Sequence, residues 1–371
     1  MTAINMNDRP IVLKILAAPI AFFYWIGVSI RNWMFDAGLL HSQKFEQVTV
    51  ISIGNITMGG TGKTPFTEYL VRLLMPDSVV AVLSRGFKRK THGYLLATSQ
   101  STPAEIGDEP YQMKHKFPQV TVAVDANRCR GIMHVMHDVQ PMPNVFVLDD
   151  AFQHRYVAPD IAILLVDYNS LITKDALFPI GMLREPLKAK NRANVVVVTK
   201  CPPDIKPIDL RILTKEMNLY PFQSLYFTTI VYGALTPLFD GTPVLSPDEL
   251  RGCDVLALSG IAKPMPFEQY VLSLCHKMQP ARFSDHHNFS SRNYTSILKK
   301  LDALTAPHKV VITTEKDAVR LKNDPAIPEK LKNSLYYIPL TIKFIDNGDT
   351  FDNKIREYVD KNRSYVRISE E

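Results

Sequence analysis

The stretch Ile51-Ser52-Ile53-Gly54-Asn55-Ile56-Thr57-Met58-Gly59-Gly60-Thr61-Gly62-Lys63-Thr64-Pro65 decides the fold. A run of strand formers ends at Ile53, a glycine-rich loop follows, and Gly62-Lys63-Thr64 opens a helix with Pro65 in its first turn. In such a loop the backbone N–H groups of Gly59, Gly60, Thr61, Gly62, Lys63 and Thr64 cradle phosphates, helped by the positive end of the helix. Lys63 then reaches the β- and γ-phosphates, and the Thr64 hydroxyl ligates Mg²⁺. The general pattern G-x-x-x-x-G-K-[ST] wants glycine where Thr57 stands, and Gly59 and Gly60 compensate. The expected ligands are ATP and Mg²⁺.

Working outward, nearly continuous Val/Ile/Leu runs occur at 48–53, 79–83, 120–124, 145–148, 161–166 and 195–198. Runs of this kind are strands covered on both faces, and their alternation with helical stretches predicts parallel βαβ units. The run at 145–148 ends in Asp149-Asp150, the arrangement in which carboxylates at a strand end hold Mg²⁺. Beyond a proline cluster near residue 201, further strand-like runs lie at 226–231, 255–258 and 310–313. The expected fold class is α/β, a P-loop NTPase-like parallel sheet core with a second, smaller α/β domain and an N-terminal membrane-associated helix. The expected boundaries are 1–40 for the helix, 41–220 for the P-loop domain and 221–371 for the smaller domain closing over ATP.

Between Lys14 and Arg31 the segment 15–30, ILAAPIAFFYWIGVSI, carries no charge, and both tryptophans of the chain, Trp25 and Trp33, lie in or beside it. A spanning helix needs about 20 apolar residues. This one is shorter and flanked by the aromatic and basic types that anchor at a bilayer interface, so a helix lying in the membrane surface is expected over a buried core helix or a signal peptide.

The 371 residues carry a net charge of +6 with 22% charged residues and no basic block with interleaved aromatics, which argues against a nucleic-acid partner. Nothing implies a protein partner. The four cysteines are far apart and form neither a disulfide framework nor a zinc knuckle.

The segments GNITMGGTGKTP, LSRGFKRKTHGY, IGDEPYQM, VLDDAFQH, GMLREP, FSDHHNF and TTEKDAVRL occur in this order. Together they resemble the tetraacyldisaccharide 4'-kinases, the lipid A 4'-kinases, from the N-terminal helix to about residue 321. The resemblance implies an enzyme on the cytoplasmic face of the inner membrane of a Gram-negative bacterium. It would transfer the γ-phosphate of ATP to the 4'-hydroxyl of a tetraacylated glucosamine disaccharide 1-phosphate, the lipid A disaccharide precursor, forming lipid IVA. It also implies two α/β domains joined by a hinge, with ATP in the cleft. Two departures from the family pattern stand out: Ala151 replaces a glycine in LDDGFQH, and SGIAKP at 259–264 replaces the usual G-I-x-N-P.

By the same resemblance Arg184 and Glu185 are active-site residues, Arg184 meeting phosphate and Glu185 supporting the metal or substrate; a surface ion pair is the alternative. Gln153 and His154 would support the site or contact substrate, against a packed histidine. Asp108 and His286 would form the proton-accepting dyad, with His287 as the other candidate partner. The order of roles stays open, because a histidine near its reference pKa of about 6.5 suits a base at neutral pH better than a free Asp near 3.9. Glu315, Lys316 and Asp317 have two readings, a clamp on the adenine or ribose of ATP and a helix cap behind Thr314.

A membrane-associated ATPase or GTPase switch is the competing class. Its ATPase form needs a signature lysine where Met58 stands, and its GTP-reading form needs Asp where Pro202 follows Thr199-Lys200-Cys201.

Overall fold

Among the described residues fourteen strands carry the architecture: β1 (Thr49–Gly54), β2 (Val80–Ser84), β3 (Leu95–Leu96), β4 (Thr121–Val124), β5 (Val145–Leu148), β6 (Ile161–Asp167), β7 (Val195–Thr199), β8 (Ser224–Tyr232), β9 (Thr236–Pro237), β10 (Asp254–Ser259), β11 (Lys277–Arg282), β12 (Lys309–Thr314), β13 (Leu335–Ile338) and β14 (Leu340–Phe344). The computed structural model describes residues 11–370, with side chains over 15–361. The expected segment 1–40 therefore begins outside the described residues, and so does the Lys14 side chain.

The chain divides into two compact units. The first holds the residues up to Ile230 and those from Ile342 onward; the second is Val231–Thr341. In the first, nine strands run in the order β14-β8-β7-β6-β1-β5-β2-β4-β3. From β8 to β4 the pairing is parallel, and the short β3 runs antiparallel to β4. Every residue of β1, β2, β5, β6 and β7 is buried, which explains why these strands read as unbroken apolar runs. The second unit has a five-stranded sheet ordered β11-β10-β12-β13-β9, parallel except for β9. Its core packs Leu256, Leu258, Tyr294, Val311 and Leu335 on one side and Val255, Phe267, Ile312 and Tyr336 on the other.

Two expectations about boundaries need correction. The 220 boundary gave the run at 226–231 to the smaller domain, yet β8 pairs in parallel with β7, Val195 opposite Ser224, so the first sheet extends through it. The C-terminal stretch also belongs to the first unit. Helix α1 spans Ile11–Asp36, α2 Lys63–Leu74, α3 Asp108–Lys116, α4 Arg128–Asp138, α5 Glu315–Lys322 and α6 Gly348–Glu370. Phe344 and Phe351 form an aromatic cluster with Phe66, Tyr69 and Tyr226. The Tyr69 hydroxyl donates to Asp352 at 2.7 Å, and Lys354 donates to Ser224 at 2.6 Å. This burial of aromatic surface decides where the C-terminal helix goes, and it leaves no periodic signature that assigns a helix to one domain rather than another.

α1 has two unlike faces. Ile15, Leu16, Ile20, Phe23 and Trp33 are 60–71% exposed. Tyr24, Arg31 and Asn32 instead bond inward: the Tyr24 hydroxyl donates to the Arg184 carbonyl at 2.8 Å, Arg31 to the Gln153 carbonyl at 2.9 Å, and Asn32 to the Glu185 carboxylate at 3.0 Å. The helix from Ile15 is long and apolar enough, by length and composition, to cross a membrane, and little of it is buried.

Candidate active site

The loop after β1 is shaped by two glycines with left-handed backbone, Gly59 at φ 111° and Gly62 at φ 83°. A Cβ at Gly59 or Gly60 would meet no atom within 4 Å, so conformation and not crowding calls for glycine at 59. Thr61 of the loop is buried, and its hydroxyl has no protein partner. The GMLREP segment runs beside the loop: the N–H of Met58 donates to Met182 O and that of Arg184 to Ile56 O, both at 2.7 Å.

Charge then accumulates at the loop's end. Lys63 Nζ, at the start of α2, lies 3.3 Å from Asp150 Oδ1 and 3.4 Å from Asn55 Oδ1. Arg184 lies 3.7 Å from the other Asp150 oxygen. Thr67, one turn further along α2, donates to Asp149 Oδ1 at 3.2 Å. Burial and the adjacent Asp150 charge, with help from Glu109, push the Asp149 carboxyl up to about 6. Asp150 is half-buried, and Lys63 and Arg184 outweigh its partial desolvation and hold it below the usual carboxylate range. Asp149 carries the harder charge to keep, and a cation placed between the pair would relieve both the repulsion and the desolvation.

Behind the pair sits Arg128, fully buried, which the sequence did not single out. It donates to Asp125 O at 2.8 Å and Asp149 O at 3.0 Å, and burial lowers its pKa to about 10. His154 is packed beside it. Burial, then Arg128, Arg31 and Arg85, lower its pKa to about 4, so the ring is neutral at physiological pH and Nε2 accepts the Arg128 N–H at 3.3 Å. This is the packed histidine of the two readings. Gln153 donates to Asn55 O at 2.7 Å and so ties the Asp149-Asp150 turn to the phosphate loop. The left-handed residue of that turn is Asp150 (φ 47°) and not Ala151, so the alanine stands where the family has glycine without backbone strain.

Two further groups were not legible. Thr199 and Lys200 follow β7 and touch the outer side of the loop: Thr199 Oγ1 donates to Thr61 O at 2.8 Å, and Lys200 donates to Gly60 O and, at 2.9 Å, to Asp167 Oδ2. Strand-end position in a parallel sheet is the signal that points to such residues.

The expectation that Glu185 serves the metal does not fit its surroundings. The carboxylate is 2% exposed and held by Arg192 at 2.8 and 3.1 Å and by Asn32 at 3.0 Å. Both oxygens are engaged by a guanidinium fork and an amide, the arrangement that neutralises a buried carboxylate structurally. Thr64, Asp149 and Asp150 are the metal-facing candidates that remain.

Asp108 opens α3 in the first unit, after Gly107 at φ 93°, and its neighbour Glu109 is close enough to Asp149 to raise its pKa. His286, Glu315, Lys316 and Asp317 lie in the second unit. There His286, in left-handed backbone (φ 59°), has Lys316 Nζ 2.9 Å from Nε2 and Arg320 Nη2 2.6 Å from Nδ1. His287 is packed between Phe283 and Phe289, with Ser284 and Asn293 at its two nitrogens. Asp317, wholly buried, accepts from the Gly260 N–H at 2.8 Å and the Thr314 hydroxyl at 2.7 Å, while Thr314 accepts the Asp317 N–H at 3.2 Å. Thr314 is thus the helix cap, with Asp317 its partner in the first turn, and Asp317 also pins Gly260 of the SGIAKP loop. Glu315 accepts from the Leu340 N–H at 3.2 Å.

The model of the tetraacyldisaccharide-1-P 4'-kinase family matches residues 13–360. The chain belongs to this family. Tetraacyldisaccharide 4'-kinases of Phocaeicola vulgatus and Bacteroides thetaiotaomicron are each 48% identical to it, over 93% of this chain and 94% of the first, and 98% of this chain and 98% of the second. A crystal structure from Aquifex aeolicus, described as the "apo" form of LpxK in complex with ATP, superposes with a TM-score of 0.72 at 28% identity, covering 94% of this chain and 99% of that one. The 4'-kinase family explains the order of the seven segments, and the switch class is not favoured.

Within this 4'-kinase, Arg192→Ala is expected to destabilise the first unit by about 3 kcal/mol, because it strands a buried Glu185 charge. Denaturant unfolding reads the loss, and Glu185→Gln should cost less. An Arg192→Ala protein of unchanged stability would return Glu185 to the metal-binding candidates.

Proposed function

We propose that the 4'-kinase binds ATP at the loop 54–64 and transfers its γ-phosphoryl group to the 4'-hydroxyl of the lipid A disaccharide 1-phosphate, at the cytoplasmic face of the inner membrane. The observation that carries this reading is the cluster of Lys63, Arg184, Asp149 and Asp150 at the end of that loop. Phosphoryl transfer needs positioning and neutralisation more than covalent help from the protein, and the cluster offers both signs of charge. In the step, the bond from γ-phosphorus to the oxygen bridging to the β-phosphate breaks. A bond to the acceptor oxygen forms, and the hydroxyl proton passes to a base.

The donor set fits Mg²⁺. Two adjacent carboxylates, one of them pushed up to about 6, favour a bound cation, and Mg²⁺ commonly takes only one or two carboxylates besides phosphate and water. Thr64, Asp149 and Asp150 would hold it, and when bound it would neutralise charge on the phosphate oxygens. Lys63 and Arg184 meet the γ-phosphate, and the amides of Gly59 to Thr64 orient it. Asp108 and His286 serve as the proton-accepting pair. That assignment rests on the family resemblance and on the position of α3 near the carboxylates. Glu315 and Lys316 keep a nucleotide role only as an expectation of the sequence.

Labelled ATP and a lipid A disaccharide 1-phosphate, separated by thin-layer chromatography, test the reaction. Lys63→Ala should cut turnover by roughly 10²–10³ with the fold intact. Asp108→Ala and His286→Ala should each cut it strongly, and the double variant should be little worse than the poorer single, as for residues acting as a unit. A folded Lys63→Ala enzyme of near-native turnover refutes the phosphate loop, and multiplicative defects refute the dyad.

Asp149 must be ionised to hold the metal, so kcat/KM should fall as pH drops through about 6. Bound metal favours the carboxylate, so raising Mg²⁺ should move this acid limb to lower pH. A limb that ignores Mg²⁺ would exclude Asp149 as a ligand.

Membrane attachment is supported by the exposed apolar face of α1. Flotation with vesicles containing anionic phospholipid should carry the full chain upward, and Phe23→Asp with Trp33→Asp should leave it behind. A wild-type protein that ignores vesicles would overturn the attachment.

A further inference from the structure

The ends of β6 and β7 meet the phosphate loop from outside. Asp167 and Thr199 are register partners at the C-terminal edge of the sheet, 4% and 2% exposed. Thr199 Oγ1 has one proton and donates it to Thr61 O at 2.8 Å, in preference to Val166 O at 3.2 Å. The Lys200 ammonium is shared between the Asp167 carboxylate at 2.9 Å and the Gly60 carbonyl. Lys200 itself sits at φ 60°, a conformation a lysine seldom adopts and one that surrounding contacts must sustain.

We propose that Lys200, held by Asp167 and seconded by Thr199, is the positioning residue of the phosphate loop and tunes how tightly it holds the ATP phosphates. In a trans peptide the carbonyl and the N–H point opposite ways. With Gly60 O and Thr61 O drawn outward to β7, the N–H groups of Thr61 and Gly62 are turned to the other side of the loop, where phosphate oxygens are received. A cation on the Gly60 carbonyl also polarises that peptide and makes the Thr61 N–H a stronger donor. Asp167 fixes the ammonium, which on a flexible four-carbon stem would otherwise wander. Lys200 reaches no reacting atom in this scheme and acts through the backbone. The proposal rests on reading 54–64 as the phosphate loop.

The test uses the full chain with Mg·ATP as probe. Lys200→Ala should raise KM for ATP about tenfold or more, the loss of one charge-assisted hydrogen bond, with kcat at saturating ATP little changed. The melting temperature without nucleotide should stay near that of the unsubstituted protein, while the rise in melting temperature caused by Mg·ATP shrinks. Lys200→Arg should recover much of the affinity, and Asp167→Asn should reproduce part of the defect. An unchanged KM for ATP in Lys200→Ala overturns the proposal, as does a fall in melting temperature with KM and kcat moving together, which marks a merely structural lysine. A Lys63→Ala control separates the two readings. If it abolishes turnover while Lys200→Ala behaves normally, only the clamp fails; if Lys63→Ala turns over normally, the phosphate loop and the clamp fail together.

Discussion

Two neighbouring carboxylates at the end of one buried strand set the terms for the first unit. Asp149, buried at the strand end, is repelled by the half-buried Asp150 beside it, and the surrounding residues can be understood as answers to that cost. Lys63 comes from the phosphate loop, Arg184 from the segment that runs beside it, and Arg128 from α4 behind. The cations are spread over three parts of the chain, so the site exists only when β1, β5 and the loops after them are assembled. Incomplete neutralisation is itself useful, because it leaves a demand that a metal–nucleotide pair can meet.

Much of this was legible in the sequence, for identifiable reasons. Strands buried on both faces have no polar positions to obscure them, so all the central runs from 48 to 198 stood out. Gly59, Gly62, Lys63 and the Asp149-Asp150 pair stood out because their conformations and charges have few other uses at such spacing. What stayed hidden depended on tertiary partners. Nothing around Glu185 announces that Arg192 and Asn32 will occupy both its oxygens. β14 and the start of α6 carry no mark of the aromatic cluster that assigns them to the first unit. The short strands β3 and β9 are below the length at which periodicity speaks, and β11, KMQPAR, is half polar because it lies at a sheet edge.

α1 shows how one element serves two environments. Its apolar face meets no protein core, while Tyr24, Arg31 and Asn32 reach the backbone and side chains of residues 153, 184 and 185. Gln153 follows the carboxylate pair in the chain, and Arg184 is itself one of the charges facing it. A force on the helix is therefore transmitted through three hydrogen bonds to the edge of the candidate site, and the helix is part of the site's scaffold as well as the carrier of an exposed apolar face.

The return of the chain to the first unit at Ile342 has a consequence for synthesis. The second unit is an insertion, complete within Val231–Thr341, whereas the nine-stranded sheet lacks β14 and the helix packed on Phe66 and Tyr226 until the segment after Thr341 has been made. Domains fold as units while the nascent chain lengthens. The inserted unit can therefore close early, while the nucleotide-binding sheet waits with an open edge and an uncovered aromatic patch. The part of the molecule made first is finished last, after the inserted unit is complete.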